Sequence, residues 1–276
     1  GSWDCWIVKT DSNGNIQWQN TIGGNNSDWL HSIKQTTDGG YILGGQSESS
    51  ISGDKTENSN GGWDYWIVKI DSIGIIEWQN TIGGNEDDKM FSIQQTTDGG
   101  YILGGISDSD STDDKTEDSK GYMDYWIVKT DSLGNIQWQN TIGGNDNDIL
   151  GSVIQTVDGG YLLVGYSRSG PSGDKTTLSN GVEDYWIVKT DSQGSIQWQR
   201  SFGYGAQDLL YAVQQTAEGG YILGGSNNSA GHYWIIKTDT GGNTQWQKTF
   251  GGSGAEILYS IQQTTDRGYI LGGIST

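Results

Sequence analysis

Asp98-Gly-Gly-Tyr-Ile-Leu-Gly-Gly105 ends on a pentapeptide that recurs, with minor variation, starting at Tyr41, Tyr101, Tyr161, Tyr221 and Tyr269. Between successive copies the same three other segments follow in the same order, so the chain is five copies of one unit. Within a unit, Asp64-Tyr-Trp-Ile-Val-Lys-Ile70 is rich in aromatic and β-branched residues, Asp71-Ser-Ile-Gly74 supplies a turn, and Ile76-Glu-Trp78-Gln alternates again. Gly83-Gly84 and an acidic loop lead to Met90-Phe-Ser-Ile-Gln-Gln-Thr96, and Asp98-Gly99-Gly100 turns the chain into the pentapeptide. Four short strands per unit are expected, and no stretch is long and periodic enough for a helix.

A small twisted sheet cannot bury both faces alone, and stacking successive sheets around an axis does so. The expectation is an all-β, closed five-bladed β-propeller with four antiparallel strands per blade, against a competing solenoid of stacked hairpins. Residues 1–276 form one domain in this reading, with blade boundaries at 1–40 plus 265–276, 41–100, 101–160, 161–220 and 221–264. The chain starts at one strand type and stops on another, which predicts that Tyr269–Gly273 pairs with Cys5–Thr10 to close the ring.

Composition constrains function. The 34 Asp and Glu against 15 Lys and Arg give a net charge of −19, which disfavours nucleic-acid binding through phosphates. There is no apolar run long enough to span a bilayer, so no membrane insertion is expected. The single cysteine, Cys5, stands where Tyr65, Tyr125, Tyr185 and Tyr233 stand in other units and reads as a packing residue. As an isolated domain the chain is expected to be a monomer.

Ten of the 13 Trp occupy two repeat positions and read as packing. Trp3, Trp29 and Trp63 lie outside these two positions, and Met123 and Glu183 stand in the place of Trp63 in other units, which makes the three the candidates for ligand contact or for anchoring a loop. Three long insertions, 46–62, 106–123 and 166–183, open on one end of the blades and mark that face for partner binding, whereas 226–232 is short. The insertions share Asp54-Lys-Thr56, Asp114-Lys-Thr116 and Asp174-Lys-Thr176. Asp54, Asp114 and Asp174 could cap turns, contact a ligand directly, or bind Ca2+ with neighbouring loop oxygens.

No catalytic residues are assigned. The two histidines, His31 and His232, lie in no Ser-His-Asp or zinc pattern, and carboxylates that repeat with the fold are poorly suited to unlike acid and base roles. The alternative is a glycoside hydrolase or related carbohydrate-active enzyme using carboxylates in a central funnel.

Asp64-Tyr-Trp-Ile-Val-Lys-Ile-Asp-Ser-Ile-Gly, Thr81-Ile-Gly-Gly-Asn-Glu-Asp-Asp88 and Asp98-Gly-Gly-Tyr-Ile-Leu-Gly-Gly resemble the unit of the bacterial "seven-bladed beta-propeller repeat" family. They are also similar to repeats of secreted and surface proteins of Bacteroidota and some archaea. The resemblance implies an extracellular or cell-surface, non-catalytic binding or scaffold module contacting a glycan or a protein. This chain departs from that pattern in having five units and in its Asp-Lys-Thr insertion.

Overall fold

The structure, a computed structural model, describes residues 1–227 and 231–276; part of the short connection 226–232 therefore lies outside the described residues. β1 (Cys5–Thr10) and β2 (Ile16–Ile22) form a two-stranded sheet. β3 (Asp28–Gln35), β4 (Tyr41–Ser47), β5 (Asp64–Ile70) and β6 (Ile76–Ile82) form a four-stranded sheet, bonded in that order. β7 (Asp88–Gln95), β8 (Tyr101–Ser107), β9 (Asp124–Thr130) and β10 (Ile136–Ile142) form the next. β11 (Asp148–Gln155), β12 (Tyr161–Ser167), β13 (Asp184–Thr190) and β14 (Ile196–Phe202) form a third. β15 (Asp208–Gln215), β16 (Tyr221–Asn227), β17 (His232–Thr238) and β18 (Thr244–Phe250) form a fourth. β19 (Glu256–Gln263) and β20 (Tyr269–Ser275) form a second two-stranded sheet. The result is an all-β, propeller-like repeat architecture.

The closed ring is not formed. β20 pairs with β19, Tyr269 opposite Gln263 and Ser275 opposite Glu256, while β1 pairs with β2, Cys5 opposite Ile22, and the two pairs are separate sheets. The strand offset supplies complementary half-sheets, but closure also depends on the rotation between sheets, which packing sets and a strand pattern does not encode. The strands also group one step earlier than the blade boundaries 41–100, 101–160, 161–220 and 221–264: the sheet containing Tyr41–Ser47 begins at Asp28, and Asp88–Gln95 opens the next one. In sequence the two short glycine-rich links look alike. In the structure the Gly83-Gly84 link steps between sheets, whereas Thr96–Gly100 turns between two strands paired with each other, Gln95 opposite Tyr101.

Two compact units divide the chain, Gly1–Ser119 with Trp126–Thr141, and Lys120–Tyr125 with Ile142–Thr276. In the first, β7 packs against β3, β4 and β5; in the second, β15 packs against β11, β12 and β13, and β19 against β15, β16 and β17. Ile42, Tyr65, Ile67, Met90, Ile93 and Leu103 make one such core, and Leu162, Val164, Ile187, Leu210, Leu223 and Ile236 another. A main-chain bond joins the strand-entry residue of one sheet to the next: the N–H of Asp28 donates to the Trp3 carbonyl at 2.7 Å, Asp88 to Trp63 at 2.5 Å, Asp148 to Met123 at 2.6 Å, Asp208 to Glu183 at 2.6 Å and Glu256 to Gly231 at 2.5 Å.

The second pentapeptide glycine has a backbone cause. A bulge between Leu150 and Ser152 brings the chain so close to Gly165 that a Cβ there would lie 2.0 Å from the Ile149 carbonyl oxygen, and Gly45, Gly105, Gly225 and Gly273 face the same contact. The first glycine is constrained by side chains alone: a Cβ on Gly44 would meet Met90 Cε at 2.7 Å, and Val164 fills the equivalent place in the third four-stranded sheet.

Tyrosine and tryptophan link sheets within each unit. The hydroxyl of Tyr65 donates to the Trp126 carbonyl at 2.9 Å, Tyr125 to Trp186 at 3.0 Å and Tyr185 to Trp234 at 3.1 Å, with rings 4.6 to 4.8 Å apart. Cys5 cannot make this bond, and beside it lies a cavity of about 10 Å³ lined by Ile22, Trp29, Leu30, Leu43, Gly45 and Trp66. Burial, then Asp28 and Asp4, push its thiol up to about 12, the behaviour of a packed, unreactive cysteine. Cys5→Tyr is expected to fill the gap and restore a donor to the Trp66 carbonyl, stabilising the fold by about 1–2 kcal/mol in denaturant titrations. An unchanged or lower midpoint would show that the site does not reproduce the Tyr65 environment.

Candidate functional site

Strand register fixes which segments share an end of the sheets. Asp28 lies opposite Ser47 and Ser47 opposite Asp64, so the Gly-Gly links and the long loops open on one end. The other end carries tight hairpins shaped by carboxylates: Asp11 accepts from the N–H groups of Asn13 and Asn15 at 2.8 and 2.9 Å, and Asp38 accepts from Thr36 Oγ1 at 2.5 Å and Gly40 N–H at 2.9 Å. Much of the acidity of the chain is spent on turn geometry.

The three Asp-Lys-Thr segments dock onto the Gly-Gly links. Asp54 N–H donates to the Gly23 carbonyl at 2.9 Å while its carboxylate accepts from Gly23 N–H at 3.3 Å; Asp114 does the same with Gly83 at 3.1 and 3.3 Å, and Asp174 with Gly143 at 2.8 and 3.2 Å. Lys120 adds an ion pair to Asp174. Glutamines of the fourth strands hold the segments from the other side. Gln79 Nε2 donates to the Asp54 carbonyl at 2.6 Å and its Oε1 accepts from Trp66 Nε1 at 3.0 Å, with Gln139 and Gln199 repeating both bonds for Asp114 with Trp126 and Asp174 with Trp186. The three carboxylates named as calcium candidates thus act as clamps for a glycine.

Sequence reading missed the lysines beside them. Lys55, Lys115 and Lys175 are at most 2% exposed. Lys115 Nζ donates to the carbonyls of Ser109 and Glu117, both at 2.7 Å, and to Ser119 Oγ at 3.2 Å. Lys175 Nζ donates to the Thr177 carbonyl at 2.9 Å and Ser179 Oγ at 3.2 Å, and Lys55 Nζ to Thr81 Oγ1 at 2.7 Å. The ammonium groups of Lys55 and Lys175 stand 5.9 Å from the rings of Trp66 and Trp186. Each loop is organised around its own cation. The only signal in the sequence was that the lysine recurs with the aspartate.

Buried carboxylates at the strand entries face these lysines. Burial pushes Asp64 up to about 7, with Asp88 adding to the rise, and pushes Asp88 and Asp148 up to about 6. Burial lowers Lys55 to about 8, opposed by Asp64, Asp28 and Glu57. Asp28, Asp64, Asp88 and Asp148 are at most 2% exposed, which keeps them from a substrate. Among the described residues no group of three or more His, Cys, Asp or Glu is placed to hold a metal, and no helix is long and apolar enough to cross a membrane.

The structure brings Trp29 and Trp63 together at the long-loop end, ring centroids 5.3 Å apart and planes at 52°. Trp29 is 45% exposed and continues through His31 (6.3 Å) to Phe91, which lies 5.4 Å from His31, as one aromatic strip. Trp3 is exposed, and its carbonyl, not its ring, makes the sheet-joining bond to Asp28.

Replacing Lys115 with Ala is expected to leave the Ser109 and Glu117 carbonyls short of a donor, to lower stability by about 2–4 kcal/mol and to direct protease cleavage into 106–123. Because the lysine supplies the positive charge, wild-type cleavage is expected to be the same with calcium and with chelator; cleavage that depends on chelator would assign calcium to these loops. For pH the sign follows from the raised carboxylates. The stability carried by Asp64, Asp88 and Asp148 is fully present below their ordinary value of 3.8 and is lost as pH rises through about 6 and 7. Asp38 and Asp98, held at about 2, give up stabilisation only as pH falls below 3.8. Calorimetry should show a higher Tm at pH 5 than at pH 8, and a Tm that climbs over that range would contradict these assignments.

No family model and no curated protein matches the chain. Among solved structures it is similar to Kuenenia stuttgartiensis hydrazine synthase, at 10% identity and TM-score 0.61, covering 100% of this chain and 78% of that one. It is also similar to a Dyadobacter fermentans protein of unknown function, at 13% identity and TM-score 0.56, covering 91% and 77%. At these identities the likeness is one of fold.

Proposed function

We propose that the chain is a non-catalytic recognition module of a secreted or cell-surface protein, contacting its partner through the long-loop end of the sheets. The observation that carries this reading is the half-exposed Trp29 ring beside Trp63, at an end where the loops are held by buried lysines and glutamine clamps. An ordered surface loses little entropy on binding, and paired indoles offer flat apolar faces with polar edges. A glycan fits this surface best, since the C–H face of a sugar ring stacks on indole and the exposed Asn25 and Asn26 precede Trp29. With a net charge of −19, a neutral or amino-bearing glycan is favoured over an anionic one. The extracellular setting rests on the repeat resemblance.

A screen against neutral, amino-bearing and anionic polysaccharides is expected to return ligands of the first two kinds. Trp29→Ala and Trp63→Ala should each weaken binding about tenfold, the effect of losing roughly 1.4 kcal/mol of stacking. Ile73→Ser, in a hairpin at the opposite end, should leave affinity unchanged. Equal binding by all three variants would remove the long-loop end from the interface.

A further inference from the structure

The tryptophans are not the only residues that break the repeat in the first four-stranded sheet. Gln46 stands where the other four-stranded sheets have Ile106, Tyr166 and Ser226, and His31 where they have Phe91, Gly151 and Tyr211. Both adjoin Trp29. Gln46 lies opposite it across the β3–β4 pair, and His31 is the extra residue of the bulge between Leu30 and Ser32, an exposed ring set between Trp29 and Phe91.

Gln46 is the costly member of this group. It is 3% exposed, and among the described residues its Oε1 is shut off from solvent and meets no donor unless His31 supplies one. Burial lowers His31 below its ordinary value of 6.5, and a hydrogen bond with Gln46 opposes the fall. The imidazole is therefore uncharged at neutral pH, with one N–H and one lone pair. A buried carbonyl without a donor destabilises the fold, so the tautomer that points its N–H at Gln46 Oε1 is the favoured one. The other ring nitrogen is left as a hydrogen-bond acceptor beside the Trp29 indole.

The charges at this end are negative. Glu48 lies two residues beyond Gln46, its carbonyl accepting from Asn26 Nδ2 at 3.0 Å, and the exposed Glu86 accepts through its carbonyl from Gly62 N–H, next to Trp63. Lys89 is already paired with Asp87 at 2.6 Å. An acceptor nitrogen, indole faces and neighbouring carboxylates suit one group together, an ammonium, which is both a cation and an N–H donor.

We propose that His31 is the hydrogen-bonding residue of the Trp29–Trp63 site and reads the protonated amine of an amino-bearing glycan, with Gln46 as the positioning residue that fixes its tautomer. This rests on the reading of the long-loop end as a glycan-binding surface, and it selects the amino-bearing glycan over the neutral one. The ammonium N–H donates to the outer ring nitrogen of His31 while the sugar ring stacks on Trp29.

The test titrates the full chain at pH 6.5 with free-amine chito-oligosaccharides and with their N-acetylated counterparts. The free-amine form is expected to bind about tenfold tighter. Two substitutions borrow residues that the next sheet already carries: His31→Phe copies Phe91 and keeps the aromatic strip, and Gln46→Ile copies Ile106. His31→Phe should remove the preference, weakening the free-amine ligand about tenfold and the N-acetylated one less than about twofold. Gln46→Ile should keep or raise the melting temperature, because a buried unpaired carbonyl is gone, yet weaken the free-amine ligand about threefold. Imidazole nitrogen NMR shifts of His31 should show one protonated and one bare nitrogen in the wild type and average together in Gln46→Ile. No binding of the free-amine form, equal affinity for the two forms, unchanged affinity in His31→Phe, or averaged nitrogen shifts in the wild type would overturn the proposal. If Trp29→Ala weakens binding of either oligosaccharide while His31→Phe does not, the long-loop surface stands and only the role of His31 falls.

Discussion

Every sheet in this protein must bury two apolar faces, and a four-stranded sheet of this size can do so only by lying against others like itself. The step from one sheet to the next is therefore the constraint on which the structure depends. It is made at one place, where a Gly-Gly link passes against a buried aspartate and the following strand begins by donating an N–H to a carbonyl of the sheet before. The first glycine of each link cannot gain a Cβ there, whereas Tyr204 stands in the second one's place before β15, and the aspartates at the strand entries are buried because the link covers them. The residue that supplies the carbonyl uses only its backbone. Trp3, Trp63, Met123, Glu183 and Gly231 all serve in that place.

The same step explains the chemistry of the loops. Covering the strand-entry aspartates removes them from water, which raises their affinity for protons and calls for a nearby positive charge. The long insertions bring that charge as Lys55, Lys115 and Lys175, each on a loop that also clamps the Gly-Gly link through its aspartate. The fourth four-stranded sheet has only the short 226–232 connection, and His232 takes the place of Asp64 there. One of the two carboxylates goes with the lysine, whereas Asp208, the counterpart of Asp28, stays buried at the strand entry of that sheet.

Strand content was legible because its signals are local: alternation, turn glycines and the aspartates that close hairpins all act within a few residues. All four strands of each unit lie where the pattern of Tyr101–Gly105 and its neighbours put them, and the two ends of the sheets carry the loops expected. The frame of the sheets was not legible, since Thr96–Gly100 and Ile82–Asp88 are both short glycine-bearing links and differ only in what surrounds them in space. Closure was illegible for a related reason: complementary half-sheets are written in the sequence, whereas the rotation between sheets accumulates from many side-chain contacts. Asp54, Asp114 and Asp174 recur visibly in the sequence, but a lysine among Ser, Asp and Thr reads as solvated. Its burial depends on Trp66 and its equivalents offering a surface for the stem and on loop carbonyls receiving the head.

Repetition itself separates packing from recognition. Trp66, Trp126, Trp186 and Trp234 are the same residue because each meets equivalent neighbours, and their indole N–H groups donate to the equivalent glutamines Gln79, Gln139, Gln199 and Gln247. Position 29 is under no such demand, being Lys89, Ile149, Leu209 and Ile257 elsewhere, and position 63 is hydrogen-bonded into the fold through its main chain, its carbonyl accepting from Asp88 N–H and its N–H donating to Asp87. A large aromatic side chain at both places in one repeat is not required by the architecture, and it leaves an indole half exposed at the ordered end of the sheets. Two adjacent tryptophans at places where the fold accepts other residues are the feature that supports the proposed partner contact, since half-exposed indoles offer apolar faces with polar edges.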